Sequence, residues 1–297
     1  MASAHTARII REGLRFGEAP RWHEGRLWFS DFYRHGVFSM AFDGTDERLE
    51  LTVPGQPSGI GWMPDGSMLV VSMTDHTVLR WSPGTEPTPH ASLEAFCGYW
   101  ANDLVVSTDG TAYVGNFGFD LDTFLETHGV EGVLTPPGPP TTNLVVLAPD
   151  GSVLQVVPDM AFPNGMVLDP SGTALIVAET MAMRLTRFDV AADGTLSNRR
   201  SFADLELVAA DGICLDAEGQ VWVANALAPE AVRIAEGGAV TARVSTSQTC
   251  FACMLGGEGR LSLYLMTAPT STARRAASAL DGRIEVAEVP VGGAGRP

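Results

Sequence analysis

No lysine occurs anywhere in the 297 residues, and all nineteen basic side chains are arginine. That absence excludes Schiff-base chemistry, attachment of pyridoxal phosphate and a P-loop lysine. Positive charge is scarce altogether: 35 acidic residues against 19 basic ones leave a net charge of −16. Nucleic acid and anionic membrane surfaces both need clustered positive charge, so neither is an expected partner. The six histidines (His5, His23, His35, His76, His90 and His128) fall into no HxH or HExxH spacing, and a histidine-rich metal site has no support. Of four cysteines only Cys250 and Cys253 form a CxxC, without the second pair that a structural zinc would want. They read as buried strand residues in a reducing compartment. No GxSxG elbow is present, which argues against a serine nucleophile. The first residues lack the apolar centre of a signal peptide, and no apolar run is long enough to span a membrane. The expectation is a soluble, cytoplasmic protein acting on a small molecule.

What is present is apolar and evenly spread, 45% of the residues against 18% charged, enough to bury a large core. The reading is one domain over residues 1–297, with only the closing GGAGRP disordered. One unit recurs: a turn ending in glycine, then a short apolar strand with a polar residue at its far end. Its six copies are WHEGRLWFSD, MPDGSMLVVSM, STDGTAYVGN, DPSGTALIVAE, DAEGQVWVAN and GGEGRLSLYLMT. Their glycines, Gly25, Gly66, Gly110, Gly172, Gly219 and Gly259, lie 40 to 47 residues apart except for one interval of 62. Each copy is followed by further strand-like segments, and helical periodicity is nearly absent. Four short antiparallel strands per forty-odd residues describe a propeller blade, so the sequence predicts an all-β, six-bladed β-propeller. The sixth unit stops after GRIEVAEV (282–289), one strand short. The N-terminal TARIIREG can supply that outer strand and close the ring without open sheet edges. The long interval holds an insertion, 117–142, which is either a lid over one face or a structural excursion.

Seven or eight residues before each turn glycine stands the residue that opens the first strand of its blade. These are Glu18, Ser58, Asn102, Asn164, Asp211 and Phe251. In a propeller the first strand lines the central channel, so six distant residues become one ring. Glu18, Asn102, Asn164 and Asp211 carry oxygens able to bind a hard cation, and Ser58 is a weaker fifth. Two carboxylates and an amide crowded into a narrow channel are costly without a partner, and one divalent cation resolves both repulsion and poor solvation. Oxygen ligands favour calcium or magnesium, with manganese, ferrous iron or zinc as alternatives. The alternative is that Asn and Asp merely cap local backbone as turn residues.

The quoted frames GEAPRW at Glu18, ANDLVVSTDG at Asn102, FPNGMVLDPSG at Asn164 and ADGICLDAEG at Asp211 resemble the senescence marker protein/regucalcin and gluconolactonase family, in order over nearly the whole chain. The resemblance implies a six-bladed, metal-dependent lactonase. It implies that Glu18, Asn164 and Asp211 hold the divalent metal, calcium first, that Asp211 is the general base, and that Asn102 contacts substrate or metal-bound water. The chain departs from that pattern at Trp100, where sugar lactonases often carry an arginine that grips hydroxyls. A flat apolar face there, with Phe117 beside it, points to a more hydrophobic substrate or to stacking on a ring. Two rival readings remain open in the sequence: a related propeller enzyme for aryl esters or phosphotriesters, and a metal-stabilised propeller that only binds.

Overall fold

The computed structural model describes residues 3–296. Six four-stranded antiparallel sheets make up the chain, as the repeat predicts, and the first strand of each lies innermost. These inner strands are Gly17–His23, Pro57–Trp62, Ala101–Val106, Pro163–Leu168, Ala210–Leu215 and Thr249–Gly256. All six turn glycines have positive φ, between 61° and 93°, which is why glycine recurs there.

Each blade is covered by a neighbour on both faces. Four of the six second strands therefore bury every residue, as in Met68–Ser72 and Ala174–Glu179, and read as continuous apolar runs instead of alternating ones. The core is this inter-blade packing; Leu69, Val71, Leu104 and Val114, for example, share one cluster. Each such side chain contributes about 1.5–3 kcal/mol by leaving water.

The N-terminal strand Arg8–Leu14 pairs antiparallel with Gly282–Glu288 and completes the sixth blade. Just before it, Ser3–Thr6 runs parallel to Val240–Ser245 and adds a fifth strand to the fifth blade. One segment thus straddles the seam and ties two blades together.

The C-terminal residues differ from expectation. GGAGRP reads as disordered; its Pro297 lies outside the described residues, but Arg296 exchanges backbone hydrogen bonds with Leu168, and the Ala294 N–H donates to the Leu215 carbonyl. The peptide groups of a glycine-rich tail find partners at the otherwise unpaired ends of two inner strands, which composition alone does not reveal. The Cys250 and Cys253 thiols are buried, and Cys253 donates to the Gly212 and Trp222 carbonyls. Burial pushes both thiols well above their ordinary range, so they pack as structure and stay protonated. Among the described residues, no helix is long and apolar enough to cross a membrane.

Candidate active site

All six inner strands break register with their neighbour at the same place. The shifts fall between Glu18 and Arg21, Pro57 and Ile60, Ala101 and Leu104, Pro163 and Met166, Ala210 and Ile213, and Cys250 and Ala252. A bulge turns a side chain off the sheet face, and here the repeated bulge aims the ring residues at the channel. The following residue is small in five blades: Ala19, Gly59, Gly165, Gly212 and Ala252. A Cβ on Gly59 would sit 2.1 Å from the Leu104 nitrogen, and one on Gly165 2.6 Å from the Asp211 carbonyl oxygen. Neighbouring strands touch backbone to backbone there, and only glycine fits.

Asp103 is the exception in this row, and it has a partner. The buried Arg21 guanidinium donates to Asp103 Oδ1 at 2.8 Å and to the carbonyls of Pro20, Ile60 and Leu104. Arg21 also faces a cavity at the opposite end of the channel, so the pair plugs the channel beneath the ring. Sequence reasoning missed both residues. Their only signal was an arginine three residues after Glu18 and an acid where the other blades carry glycine or alanine.

A directed chain of hydrogen bonds fixes the amides. Ser58 Oγ donates to Asn102 Oδ1 at 3.0 Å, and Asn102 Nδ2 donates to Asn164 Oδ1 at 3.1 Å. Asn164 Nδ2 donates to Thr180 Oγ1 at 3.2 Å, while the Thr180 hydroxyl donates to the Ala210 carbonyl at 2.7 Å. Because Thr180 has spent its proton on Ala210, it can only accept from Asn164. The orientation of Asn164 follows: nitrogen toward Thr180, oxygen toward Asn102, with one lone pair to spare. Thr180 was not foreseen, since it follows the polar strand end Glu179 and looks like part of a turn.

The carboxylates stand less comfortably. Burial pushes Glu18 well above the usual carboxylate range; Asp211 nearby adds to this, while the Ala19 N–H opposes it. Burial and then Asp103 push half-buried Asp211 up to about 8, against the Asn164 hydrogen bond. Both carboxylates are thus short of positive charge. Among the described residues no cluster of three His, Cys, Asp or Glu is placed to hold a metal; the oxygens here belong to two acids and an amide. That set fits a hard divalent cation by its donor chemistry: two underneutralised carboxylates, and in the same ring an amide oxygen with a lone pair to spare.

Above the ring lies a cavity of about 160 Å³ whose lining includes Glu18, Trp100, Asn102, Phe117, Asn164 and Asp211. Every candidate site residue of the sequence analysis is therefore in one place, together with Phe251. Ser58 is buried beneath it and reaches the site through Asn102. Two aromatic banks face the cavity. On one, Trp100 meets Phe117 edge-on at 6.4 Å and Phe117 contacts Phe162 at 4.5 Å; on the other, Phe16 lies 4.9 Å from Phe251 and 5.3 Å from Phe32. The insertion forms the roof. Its helix, Leu121–His128, is capped by Asp120 and presents Leu121 and Leu125 to the cavity. Asp122 accepts the Ala273 N–H at 2.8 Å, which ties this roof of the third blade across the channel mouth to the sixth.

A family described as the SMP-30/Gluconolactonase/LRE-like region matches residues 16–269. Regucalcin from Xenopus laevis is 23% identical over 277 residues, covering 90% of this chain and 88% of that one. Regucalcin from Homo sapiens is 24% identical over 231 residues, covering 75% and 73%. Among solved structures, a calcium-binding protein, regucalcin, from Agrobacterium tumefaciens superposes with a TM-score of 0.80 at 20% identity, over 100% of this chain and 99% of that one. A luciferin-regenerating enzyme gives 0.79 at 19% identity, over 98% of each. A gluconolactonase from Xanthomonas campestris gives 0.71 at 21% identity, over 96% and 90%. Likeness at these identities establishes the fold, and chemistry has to be argued from the site.

Proposed function

Because the chain belongs to the SMP-30/gluconolactonase/LRE-like family, we propose that its ring of channel oxygens is the active site of a divalent-metal-dependent hydrolase that opens lactones. The observation that carries this reading is the gathering of the Asn164 amide and two carboxylates short of positive charge at the floor of one roofed cavity. Glu18, Asn164 and Asp211 would hold the cation. Calcium suits an all-oxygen set, and the Agrobacterium relative is described as calcium-binding. A bound divalent cation supplies a Lewis acid for the ester carbonyl.

The rest falls to the protein's own groups. Asp211 takes a proton from the attacking water, whose oxygen bonds to the acyl carbon. The acyl bond to the ring oxygen breaks, and the proton passes to that oxygen, leaving an open-chain hydroxy acid. Asn102 Nδ2 spends one hydrogen on Asn164, so its second is available to a substrate oxygen. The roof helix and the aromatic banks keep bulk water from the reacting ester.

The decisive measurement is Asp211→Ala, assayed for bound metal by elemental analysis and for hydrolysis across a lactone panel. Loss of hydrolysis with weakened metal binding is expected. Intact metal content together with intact hydrolysis would sink the proposal.

A further inference from the structure

The cavity's charge and its walls restrict what can enter. Four carboxylates, from Glu18, Asp120, Asp122 and Asp211, line it, and among the described residues no arginine or histidine does. With Glu18 and Asp211 neutralised by the cation, an anionic substrate would still meet the uncompensated charge of Asp120 and Asp122 at the roof. Most polar groups lie at the floor and at the N-terminal edge of the roof, with the hydroxyls of Tyr33, Tyr99 and Ser271 besides, and several are already committed, Tyr99 to Asp120 among them. Thr180 gives its proton to Ala210, Asn102 accepts from Ser58, and Asp122 accepts from Ala273. Between floor and roof the walls are mainly the two aromatic banks and the leucines of the helix. A polyhydroxylated ring seated there would leave most of its hydroxyls without partners, each at a desolvation cost.

Resting on the lactonase reading, we propose that the substrate is a neutral lactone carrying an aromatic or branched alkyl group, and that sugar lactones and anionic lactones are poor substrates. The ester sits at the ring of oxygens. Its apolar substituent rises between Trp100, Phe117 and Phe162 on one side and Phe16, Phe32 and Phe251 on the other, under Leu121 and Leu125. The product is a carboxylate formed in an acid-lined cavity, and the same repulsion that excludes anionic substrates drives it out.

The test uses the calcium-loaded full chain with four probes: dihydrocoumarin, a δ-lactone with a pentyl side chain, glucono-1,5-lactone, and a γ-lactone bearing a carboxylate. The first two should exceed the last two by about a hundredfold in kcat/KM, the penalty of presenting polar groups to a site without partners. Trp100→Arg should narrow that ratio at least tenfold, and Leu125→Gln on the solvent-facing roof helix should narrow it with little risk to the fold. A sugar lactone turned over as well as dihydrocoumarin overturns the substrate class while leaving the hydrolase reading intact. If no lactone is hydrolysed, calorimetric binding of 2-tetralone against myo-inositol decides the class on its own. Tighter binding of the ketone keeps the apolar specificity and discards the hydrolase reading; equal or weaker binding overturns the specificity too.

Discussion

Two rings of buried polar residues circle the same end of the propeller, one on the first strands and one on the ends of the second. The outer ring is Asp31, Ser72, Asn116, Glu179, Asn225 and Thr267, all buried. It is saturated. Asp31 accepts the backbone N–H groups of Arg15, Phe16 and Arg34; Asn116 accepts from the Thr142 hydroxyl and donates to the Asn143 carbonyl; Thr267 donates to Glu285. Glu179 receives the Ala161 N–H, the Thr186 hydroxyl, Arg184 and Arg199. Asp31 and Glu179 lock their blade's hairpin to the segment entering it, and the other four bond within their own blade. In the inner ring, Asn102 and Asn164 are fixed by neighbours, while Glu18 and Asp211 keep carboxylate oxygens short of positive charge. The same periodicity thus serves opposite ends: full satisfaction builds scaffold, and partial satisfaction leaves room for a ligand.

The comparison can be broken by exchanging what each ring loses. The largest effect expected is on turnover: Asp211→Asn should lower kcat by about a hundredfold to ten-thousandfold, the usual worth of a positioned base. The metal-free variant should melt no lower than wild type, because the charge removed is one that burial disfavours, and added calcium should raise the wild-type melting temperature more than the variant's. A clear loss of apo stability on thermal melting would make Asp211 a scaffold residue. Next, Glu179→Ala should cost about 3 kcal/mol in denaturant unfolding, since it strands two arginines. Hydrolysis below the melting transition should barely change; a selective loss of kcat would move Glu179 into the site.

Smaller effects sharpen the contrast. Thr180→Val removes the acceptor that orients Asn164 and should weaken calcium binding about tenfold to a hundredfold by titration calorimetry, with Thr180→Ser restoring it. Asn164→Asp should keep fold and metal while lowering turnover, because a third negative charge blunts the cation's Lewis acidity. The smallest is a pH effect on the outer ring. Burial works against ionised Glu179, but Arg184, Ala161 and Thr186 outweigh it and hold its carboxyl below the ordinary value. Its folded pKa is therefore the lower one. The stability it contributes is complete above the unfolded pKa of about 4.3 and is lost as pH falls through the folded value. The stability gap between wild type and Glu179→Gln should accordingly shrink between pH 6 and pH 3; a gap that widens on acidification refutes the assignment.

Much of the architecture was legible because its signals are local. Gly25 and its five counterparts each need a positive φ within a few residues of an apolar run, and that requirement is written into the adjacent chain. The positions of Glu18, Asn102, Asn164 and Asp211 followed by counting from those turns. The saturation of Glu179 was not legible, since it depends on Arg199 from a different strand, nor was the docking of Arg296 against Leu168. The roof was ambiguous for the same reason: 117–142 reads as an excursion until Asp122 is seen to meet Ala273.

By itself, then, the sequence determined the blade count, the seam closed by Arg8–Leu14, the oxygen-bearing ring and the aromatic Trp100 beside it, because a repeat converts spacing along the chain into position around an axis. Only the tertiary structure decided which polar residues keep an unshared oxygen, that Arg21 and Asp103 plug the channel, that Thr180 orients the Asn164 amide and that the roof crosses to the sixth blade. Those outcomes depend on pairing between residues far apart in the chain, where any of several partners would satisfy the local sequence and packing selects one.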